Sequence, residues 1–528
     1  MQKIPSVLLA VISGALLWAC WPTSPLTFLV FLAWVPLLWL EARSTRLLRF
    51  WGLTYLAMLL WNAGTTWWVG NTTAPLSGVL ANVLNALIMT IPWIGYWKTR
   101  RRFGQRAGYL SLAAYWLTFE YIHLHWELSW PWLTLGNVFA GMPRLVQWYE
   151  WTGTSGGSVW VWVLNLLVFD ALRRPRAMRP WKLVAYACGL PIVLSFAIRA
   201  YRSSLEAVPT GGPDVVVVQP NIDPYNEKFL SGTEAQQLEK LISLSERALD
   251  STTTLVIWPE TAIPFEIDEG RFWQASVLAP LKAFLQRHPQ VRLITGLAGY
   301  REIPADSNTI ARRYDQASGK YYEDYNTALQ LDSAGDITFY HKGKLVPGAE
   351  IMPYTWIFGF LENYSVNMGG TSGTLGRGEV RTVFPPTSGG YRAAPIICYE
   401  SIYSSYVTEY VRNGANLLTI ITNDGWWGNT QGYRQHQQYA RLRAIETRRW
   451  VARSSNTGIS CFIDPLGKVY QAQPWDTATA IRMHIPPETG MTLFDRVGDW
   501  ISPLASCWTA LALGTSIFLW FRRRFAKK

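Results

Sequence analysis

Apolar stretches long enough to cross a bilayer recur through the first 200 residues and return once near the end, and the loops between them alternate between basic and uncharged. This alternation constrains the fold more than any motif does. A helix needs about 20 apolar residues to cross ~30 Å of hydrocarbon. Eight segments approach that length, at about 5–21, 25–41, 51–69, 76–97, 108–124, 155–172, 182–199 and 500–520. Several are short, and the second and third read equally as tilted or partly interfacial.

The loop charges set an orientation. Arg43, Arg46 and Arg49 separate spans two and three, and Lys98, Arg100, Arg101, Arg102 and Arg106 separate four and five. Arg173, Arg174, Arg176, Arg179 and Lys182 lie between six and seven, and Arg522, Arg523, Arg524, Lys527 and Lys528 form the tail. The alternate loops 22–24 and 70–75 carry no charge, and 125–153 has Arg144 as its sole Lys or Arg. The positive-inside rule then predicts cytoplasmic termini and places residues 200–499 outside the cytoplasm. The expected organisation is a seven-span domain over 1–199, an outer domain over 200–499, and a final span with a basic tail over 500–528. Leu17-Trp18-Ala19-Cys20 faintly resembles a lipidation box, but the bulky Trp18 and a lone Lys3 ahead of it read as a retained helix rather than a cleaved signal.

Composition is informative because it is uneven. The chain is 49% hydrophobic and only 16% charged, with 29 tryptophans, where a soluble protein carries ~25% charged residues. The deficit lies in the apolar segments; roughly 213–495 is ordinary globular sequence. Of the 48 Lys and Arg, 18 sit in the three basic loops and the tail, which argues against a nucleic-acid partner, since that would want a basic face on the soluble part. Of the five cysteines, Cys398 and Cys461 alone fall outside apolar stretches. No CxxC or Cys/His cluster exists and the six histidines have no ligand spacing, so no metal site is expected. A reactive Cys398 is favoured over a Cys398–Cys461 disulfide.

Within the outer domain, β-branched runs alternate with helical periodicity. Strands are predicted at 214–219, 254–258, 291–297, near 326–331 and 336–341, before Cys398, at 416–422 and near 451–463. Helices are predicted at 234–250, 272–287 with a kink or break at Pro280, 401–413 and 433–448. Nearly continuous apolar strands alternating with helices indicate an α/β layered domain with covered sheets.

Three apolar runs end in a chemically able residue: Trp258-Pro259 leads to Glu260, Tyr340-His341 to Lys342, and Ile396-Ile397 to Cys398. Sites in layered α/β folds collect where strands end. A thiol nucleophile needs a base, which Glu260 can supply. The oxyanion formed on a carbonyl needs a cation or N–H donors, which Lys342 and the backbone after Cys398 can supply. A cysteine at the start of a helix is expected to favour thiolate. Each residue alone reads more blandly, as a solvated loop end or a core cysteine. Glu120, near the end of span five, reads as a functional or structural polar contact. The aromatic loop 125–153, with Trp126, Trp130, Trp132, Trp148 and Trp151, reads as an interfacial belt or as a wall facing lipid.

Trp258-Pro259-Glu260-Thr261-Ala262-Ile263-Pro264, Lys342-Gly343-Lys344-Leu345-Val346-Pro347 and Ile397-Cys398-Tyr399-Glu400 resemble the three motifs of the nitrilase superfamily, in its chain order. With spans around that domain, nearly the whole chain resembles the apolipoprotein N-acyltransferases. The resemblance implies an αββα sandwich inserted before the last helix of an eight-span membrane domain. It also implies Glu260 as general base, Lys342 as stabiliser of the tetrahedral intermediate, and Cys398 acylated as a thioester. Glu350 matches a second family glutamate, Tyr399 and Glu400 match the pair after the nucleophile, and Gln219-Pro220-Asn221-Ile222 resembles a Gln-Gly-Asn-Ile motif. Phe229 stands where the family has tryptophan, and Gly348-Ala349 where it often has Phe-Gly. The implied donor is membrane phospholipid and the implied acceptor a diacylated apolipoprotein, in a bacterial inner membrane, by a monomer without cofactor. The alternatives are a membrane-anchored amidase or hydrolase of the same superfamily and a lipid-binding scaffold with a remnant domain.

Independently of that resemblance, Ile351–Met368 is unusually apolar for a loop outside the cytoplasm, with Trp356, Ile357, Phe358, Phe360 and Leu361. It reads either as a packed loop or as a lid for a lipid substrate. Trp426 and Trp427 are read as lining the same pocket or merely packing.

Overall fold

A computed structural model describes residues 4–73, 75–205, 212–359 and 373–525. The chain divides into two compact units: residues 1–68, 78–201 and 497–528 form one, and residues 69–77 with 202–496 form the other.

The first unit is helical. Among the described residues, four helices are long and apolar enough to cross a membrane: Pro75–Phe103, Tyr149–Arg173, Met178–Ser204 and Ile501–Trp520. Ser6–Ala19 is apolar but shorter. Helices also occupy Leu47–Thr66 and Gln105–His123, where spans were expected. The segment expected as one span at 25–41 is instead a 3-10 turn, Thr27–Phe31, followed by a nine-residue helix, Val35–Arg43, with a proline in its first turn. Its connection places Trp34 at the centre of an indole cluster, 4.9–5.6 Å from the ring centroids of Trp61, Trp93, Trp116 and Trp162. Edge-on and stacked indoles at such spacing add ~0.5–1.5 kcal/mol per pair beyond their buried area.

The aromatic loop is only partly a belt. Trp132 is fully buried against Trp68, with centroids 4.8 Å apart, and stacks on Trp130, while Trp151 is exposed. Glu120 has a structural contact: its Oε1 accepts from Trp116 Nε1 at 2.9 Å and from the Leu135 N–H at 2.7 Å. Two arginines of a basic loop also close on a carboxylate, Arg100 and Arg101 both pairing with the buried Glu41.

The second unit is built on two sheets. The strands are β1 (Asp214–Gln219), β2 (Thr253–Ile257), β3 (Ile263–Asp268), β4 (Arg292–Ile303), β5 (Arg313–Asp315), β6 (Lys320–Leu331), β7 (Ile337–His341), β8 (Ala393–Ile397), β9 (Leu417–Thr422), β10 (Val451–Ser455), β11 (Cys461–Ile463), β12 (Val469–Tyr470) and β13 (Thr479–His484). One sheet runs β13-β1-β2-β4-β6-β5, with β3 also paired to β4 and β7 to β6; the other runs β12-β11-β10-β9-β8. The β1–β2–β4 and β8–β9–β10 pairings are parallel.

The sheets face one another. β1 packs on β10 and β6 on β8, and Ser454 Oγ donates to Val218 O across the gap at 2.7 Å. Helices Glu234–Ala248 and Ala279–Arg287 cover the outer face of the first sheet through Leu238, Leu241, Phe284 and Leu285, all buried. Burying such side chains contributes ~1.5–3 kcal/mol each. Helices Ser404–Arg412 and Gln431–Thr447 contact β8 and β11 of the second sheet. The result is the layered α/β domain expected from the alternation, in the αββα order that the resemblance implies.

The segment predicted as a helix over 272–287 is interrupted at Pro280, as expected: two 3-10 turns precede the helix Ala279–Arg287, and Pro280 sits in its first turn, where its missing N–H leaves no bond unmade. One local expectation is corrected. The helix after Cys398 begins as a 3-10 turn, Cys398–Ile402, before Ser404–Arg412. Of the apolar loop, Thr355–Phe358 is a short helix with Trp356 82% exposed, while Phe360 and Leu361 lie outside the described residues.

Candidate active site

Three strand ends, two from parallel strands and one from the antiparallel β7, bring their following residues together. Glu260 follows β2, Lys342 follows β7 and Cys398 follows β8. Each is at most 7% exposed. Two are held by strained backbone: Cys398 itself has φ +46°, and Thr261, beside Glu260, has φ +44°. A left-handed conformation on such residues costs about 1–3 kcal/mol and persists only where the surroundings enforce it. Beneath Glu260, β4 comes so close that a Cβ on Gly296 would stand 2.2 Å from the Thr261 nitrogen.

Lys342 Nζ donates to Glu260 Oε1 at 3.1 Å and to Glu350 Oε1 at 2.8 Å. Asn326 Nδ2 joins the same two carboxylates at 2.8 Å each. The remaining oxygens are also occupied: the Asn423 N–H donates to Glu260 Oε2 at 3.0 Å, and the Val346 N–H to Glu350 Oε2 at 2.9 Å. Burial works against charge at Glu260, but Lys342, Asn326 and Lys228 outweigh it and hold the carboxyl below its usual range. Burial likewise opposes the Lys342 ammonium, and Glu260 and Glu350 more than compensate. The site is thus a carboxylate kept ionised beside a cation kept protonated.

Cys398 departs from expectation. Burial pushes its thiol well above the ordinary value and Glu260 adds to the rise, while Lys342 and Thr422 oppose it. The resting cysteine is therefore a thiol, not the thiolate expected of a helix start, because one 3-10 turn does not offset removal from water next to a carboxylate.

Glu400 ties the pieces together. Its Oε2 accepts from the Ile397 N–H at 2.8 Å, in the strand ahead of Cys398, and its Oε1 accepts from the Gly343 N–H at 2.7 Å, just past Lys342. Tyr340 and Tyr406 hydroxyls also donate to Oε1, at 2.5 and 2.8 Å. Tyr399 packs edge-on against Tyr403, centroids 5.2 Å apart. Phe229 and Trp426 stack 6.1 Å apart and line a cavity of about 30 Å3 with Glu260, Asn326 and Glu350. Trp426 also borders an open cavity of about 740 Å3 with Asn71, Tyr225 and Trp475. Trp427 instead lies against His436.

Sequence reasoning missed Asn326 and Lys228. Lys228 is 2% exposed, and its Nζ donates to the Glu260 carbonyl at 2.9 Å. Burial pulls it down to about 7, against the attraction of Glu260 and Cys398. Its position next to Phe229, one residue from a flagged aromatic, is the signal that was available. The donor atoms of Cys398, Asp424 and His436 lie within 4.8 Å of one another, but Arg453 Nη2 is already bonded to Asp424 at 2.6 Å.

A family profile described as the apolipoprotein N-acyltransferase N-terminal domain matches residues 13–167, and one described as carbon-nitrogen hydrolase matches residues 215–491. Among curated relatives, the apolipoprotein N-acyltransferase of Chlorobaculum tepidum is 33% identical over 505 residues, 93% of each chain. That of Azotobacter vinelandii is 29% identical over 486 residues, covering 88% of this chain and 85% of the relative. That of Rhodopseudomonas palustris is 28% identical over 410 residues, covering 74% and 70%.

Proposed function

Because this chain belongs to the apolipoprotein N-acyltransferase family and is an acyltransferase, we propose that it moves a fatty acyl chain from membrane phospholipid to the α-amine of a diacylglyceryl-cysteine at an apolipoprotein N-terminus, through a thioester on Cys398. The observation that carries this reading is the buried Glu260–Lys342–Glu350 cluster, with Lys342 Nζ 3.1 and 2.8 Å from the two carboxylates. Glu260 and Lys342 both act electrostatically on the Cys398 thiol.

In the first half-reaction Glu260 takes the thiol proton and the sulfur attacks the ester carbonyl carbon. The oxyanion is stabilised by Lys342 and the backbone N–H that follows Cys398. Collapse breaks the ester C–O bond, and the lysophospholipid alkoxide leaves with the proton from Glu260. In the second, the neutral α-amine attacks the thioester, Glu260 takes an amine proton, and the thiolate leaves and is reprotonated. Glu350 and Asn326 hold Lys342 and Glu260 in register, Glu400 fixes the Lys342 loop to the nucleophile strand, and Phe229 with Trp426 forms the apolar wall for the acyl chain. An eight-span membrane domain, with the 3-10 turn Thr27–Phe31 and the short helix Val35–Arg43 together counted as its second span, cytoplasmic termini and an outer catalytic domain over 200–499 belong to the same reading, which rests on apolar length and loop charge.

Exposure of the purified protein to phospholipid should add the mass of one acyl chain to the Cys398 peptide, and a diacylated lipopeptide added afterwards should discharge it and become N-acylated. Cys398→Ala should show neither. An acyl adduct persisting in Cys398→Ala, or free fatty acid as the sole product with lipopeptide present, would overturn the scheme.

A further inference from the structure

Half of the Asn326 amide is spent on bridging Glu260 and Glu350, and the other half is left over. Asn326 is 7% exposed and is fixed in β6 by its register with Ala298 of β4 and by its carbonyl, which accepts from the Lys342 N–H at 2.9 Å. Its Nδ2 gives one hydrogen to Glu260 Oε1 and one to Glu350 Oε1, each at 2.8 Å. Those same two oxygens accept from Lys342 Nζ, and an ammonium can only donate. Turning the amide over would set Oδ1 against two oxygens that already act as acceptors, so the orientation is fixed. Oδ1 is then a buried acceptor that no donor among the described residues reaches. Buried acceptors are normally paired because an unpaired one is costly, so a leftover one marks a place for a donor from a ligand.

The surroundings say which donor. Asn326 borders the cavity of about 30 Å3 that Phe229, Trp426, Glu260 and Glu350 also line, room for about one water-sized group. The two glutamates present acceptors, and the Tyr325 hydroxyl at the same cavity is already donated to Glu323. The aromatic rings turn electron-rich faces to whatever lies over them. An ester carbonyl or a phosphate oxygen would meet acceptors there, and a quaternary ammonium is too large. A primary amine fits both the size and the donor character.

We propose that Asn326 Oδ1 accepts the second N–H of the incoming α-amine and thereby selects primary amines in the second half-reaction. The proposal rests on the acyl-transfer reading above. As the neutral amine nitrogen attacks the thioester carbon, one of its protons passes to Glu260 and on to the Cys398 sulfur when the C–S bond breaks. The other stays on nitrogen, bonded to Oδ1, and becomes the N–H of the product amide. A secondary amine brings a single N–H, which Glu260 takes, and Oδ1 is left facing an alkyl group.

The test separates this role from bridging. Purified full-length protein in detergent is acylated with phosphatidylglycerol, which brings no amine. It is then mixed with a diacylated lipopeptide whose α-amine is either free or N-methylated, and discharge of the Cys398 peptide is timed by mass spectrometry. Wild type should discharge to the free amine faster by about tenfold or more, since a site that pairs an N–H rejects an analogue lacking it. Asn326→Leu keeps the branched shape, opens no space for the methyl and removes the acceptor, so the preference should fall by at least about threefold. Asn326→Asp keeps an oxygen acceptor but loses the Nδ2 bridge; acylation should slow while the preference stays within about threefold of wild type. Bridging alone would slow both amines alike in both variants. A wild-type preference below about tenfold, a smaller fall in Asn326→Leu, or a larger fall in Asn326→Asp overturns the proposal. If Asn326→Leu does not fold or is not acylated, wild type and Asn326→Asp decide by the same limits. Phosphatidylethanolamine is compared as donor: either variant should slow acylation by both lipids alike, and a loss confined to phosphatidylethanolamine would assign Oδ1 to the headgroup amine instead. Failure of wild type to form an acyl-enzyme ends the acyl-transfer reading and this proposal together, whereas an acyl-enzyme discharged without preference ends this proposal alone.

Discussion

Lys228 shows what residue-level reading of this chain overlooks. A lysine in a polar loop between a strand and a helix looks solvated, yet its ammonium is buried against the Glu260 carbonyl. Burial lowers it to about 7, while the unfolded chain titrates in the ordinary lysine range. Between those values the unfolded state carries the extra proton, so this residue makes stability rise with pH across that window and costs stability below it. Lys228→Met should flatten the rise. Thermal unfolding of both proteins from pH 6.5 to 9 checks this, and equal slopes would refute it. Cys398 teaches the converse: its identity was legible, but its protonation state was not. The helix-start argument pointed to thiolate, and burial beside a carboxylate reverses it.

At the scale of elements, β2, β7 and β8 were legible as apolar runs, and so were the residues that end them. The close approach of β4 to the Glu260 turn was not. Gly296 reads as an ordinary strand glycine, but a methyl there would stand 2.2 Å from the Thr261 nitrogen and 2.7 Å from Glu260 backbone atoms. Gly296→Ala should displace Glu260. Overpacking of this kind costs about 1–3 kcal/mol, and acyl-enzyme formation should fall by roughly tenfold or more because the reacting groups lose register. Rapid-quench measurement of Cys398 acylation beside a melting curve tests this; acylation at the wild-type rate would show that β4 does not set the position of Glu260. β3, β5, β12 and β13 escaped notice because they are short, edge-placed or interrupted by polar residues, so no apolar run announces them.

For the whole molecule, the alternating loop charges predict sidedness. In intact cells a membrane-impermeant maleimide should label Ser231→Cys, exposed in the second unit, and should reach Arg46→Cys, in a basic loop, only after permeabilisation. The reverse pattern would invert the topology. Sequence by itself determined the division into apolar helices and an α/β domain, since hydrophobic length and period depend only on local residue order. It also marked Glu260, Lys342 and Cys398, because strand ends are visible as apolar runs that stop. Only the tertiary structure decided that Asn326 bridges two carboxylates, that Glu400 joins the Lys342 loop to the strand ahead of Cys398, and that His436 and Asp424 meet beside Cys398. Apart from the local Glu400–Ile397 bond, those contacts link residues from 12 to 66 positions apart. Spacing along a chain carries no information about which strand ends converge, and the charge state of each group is set by the neighbours it meets there.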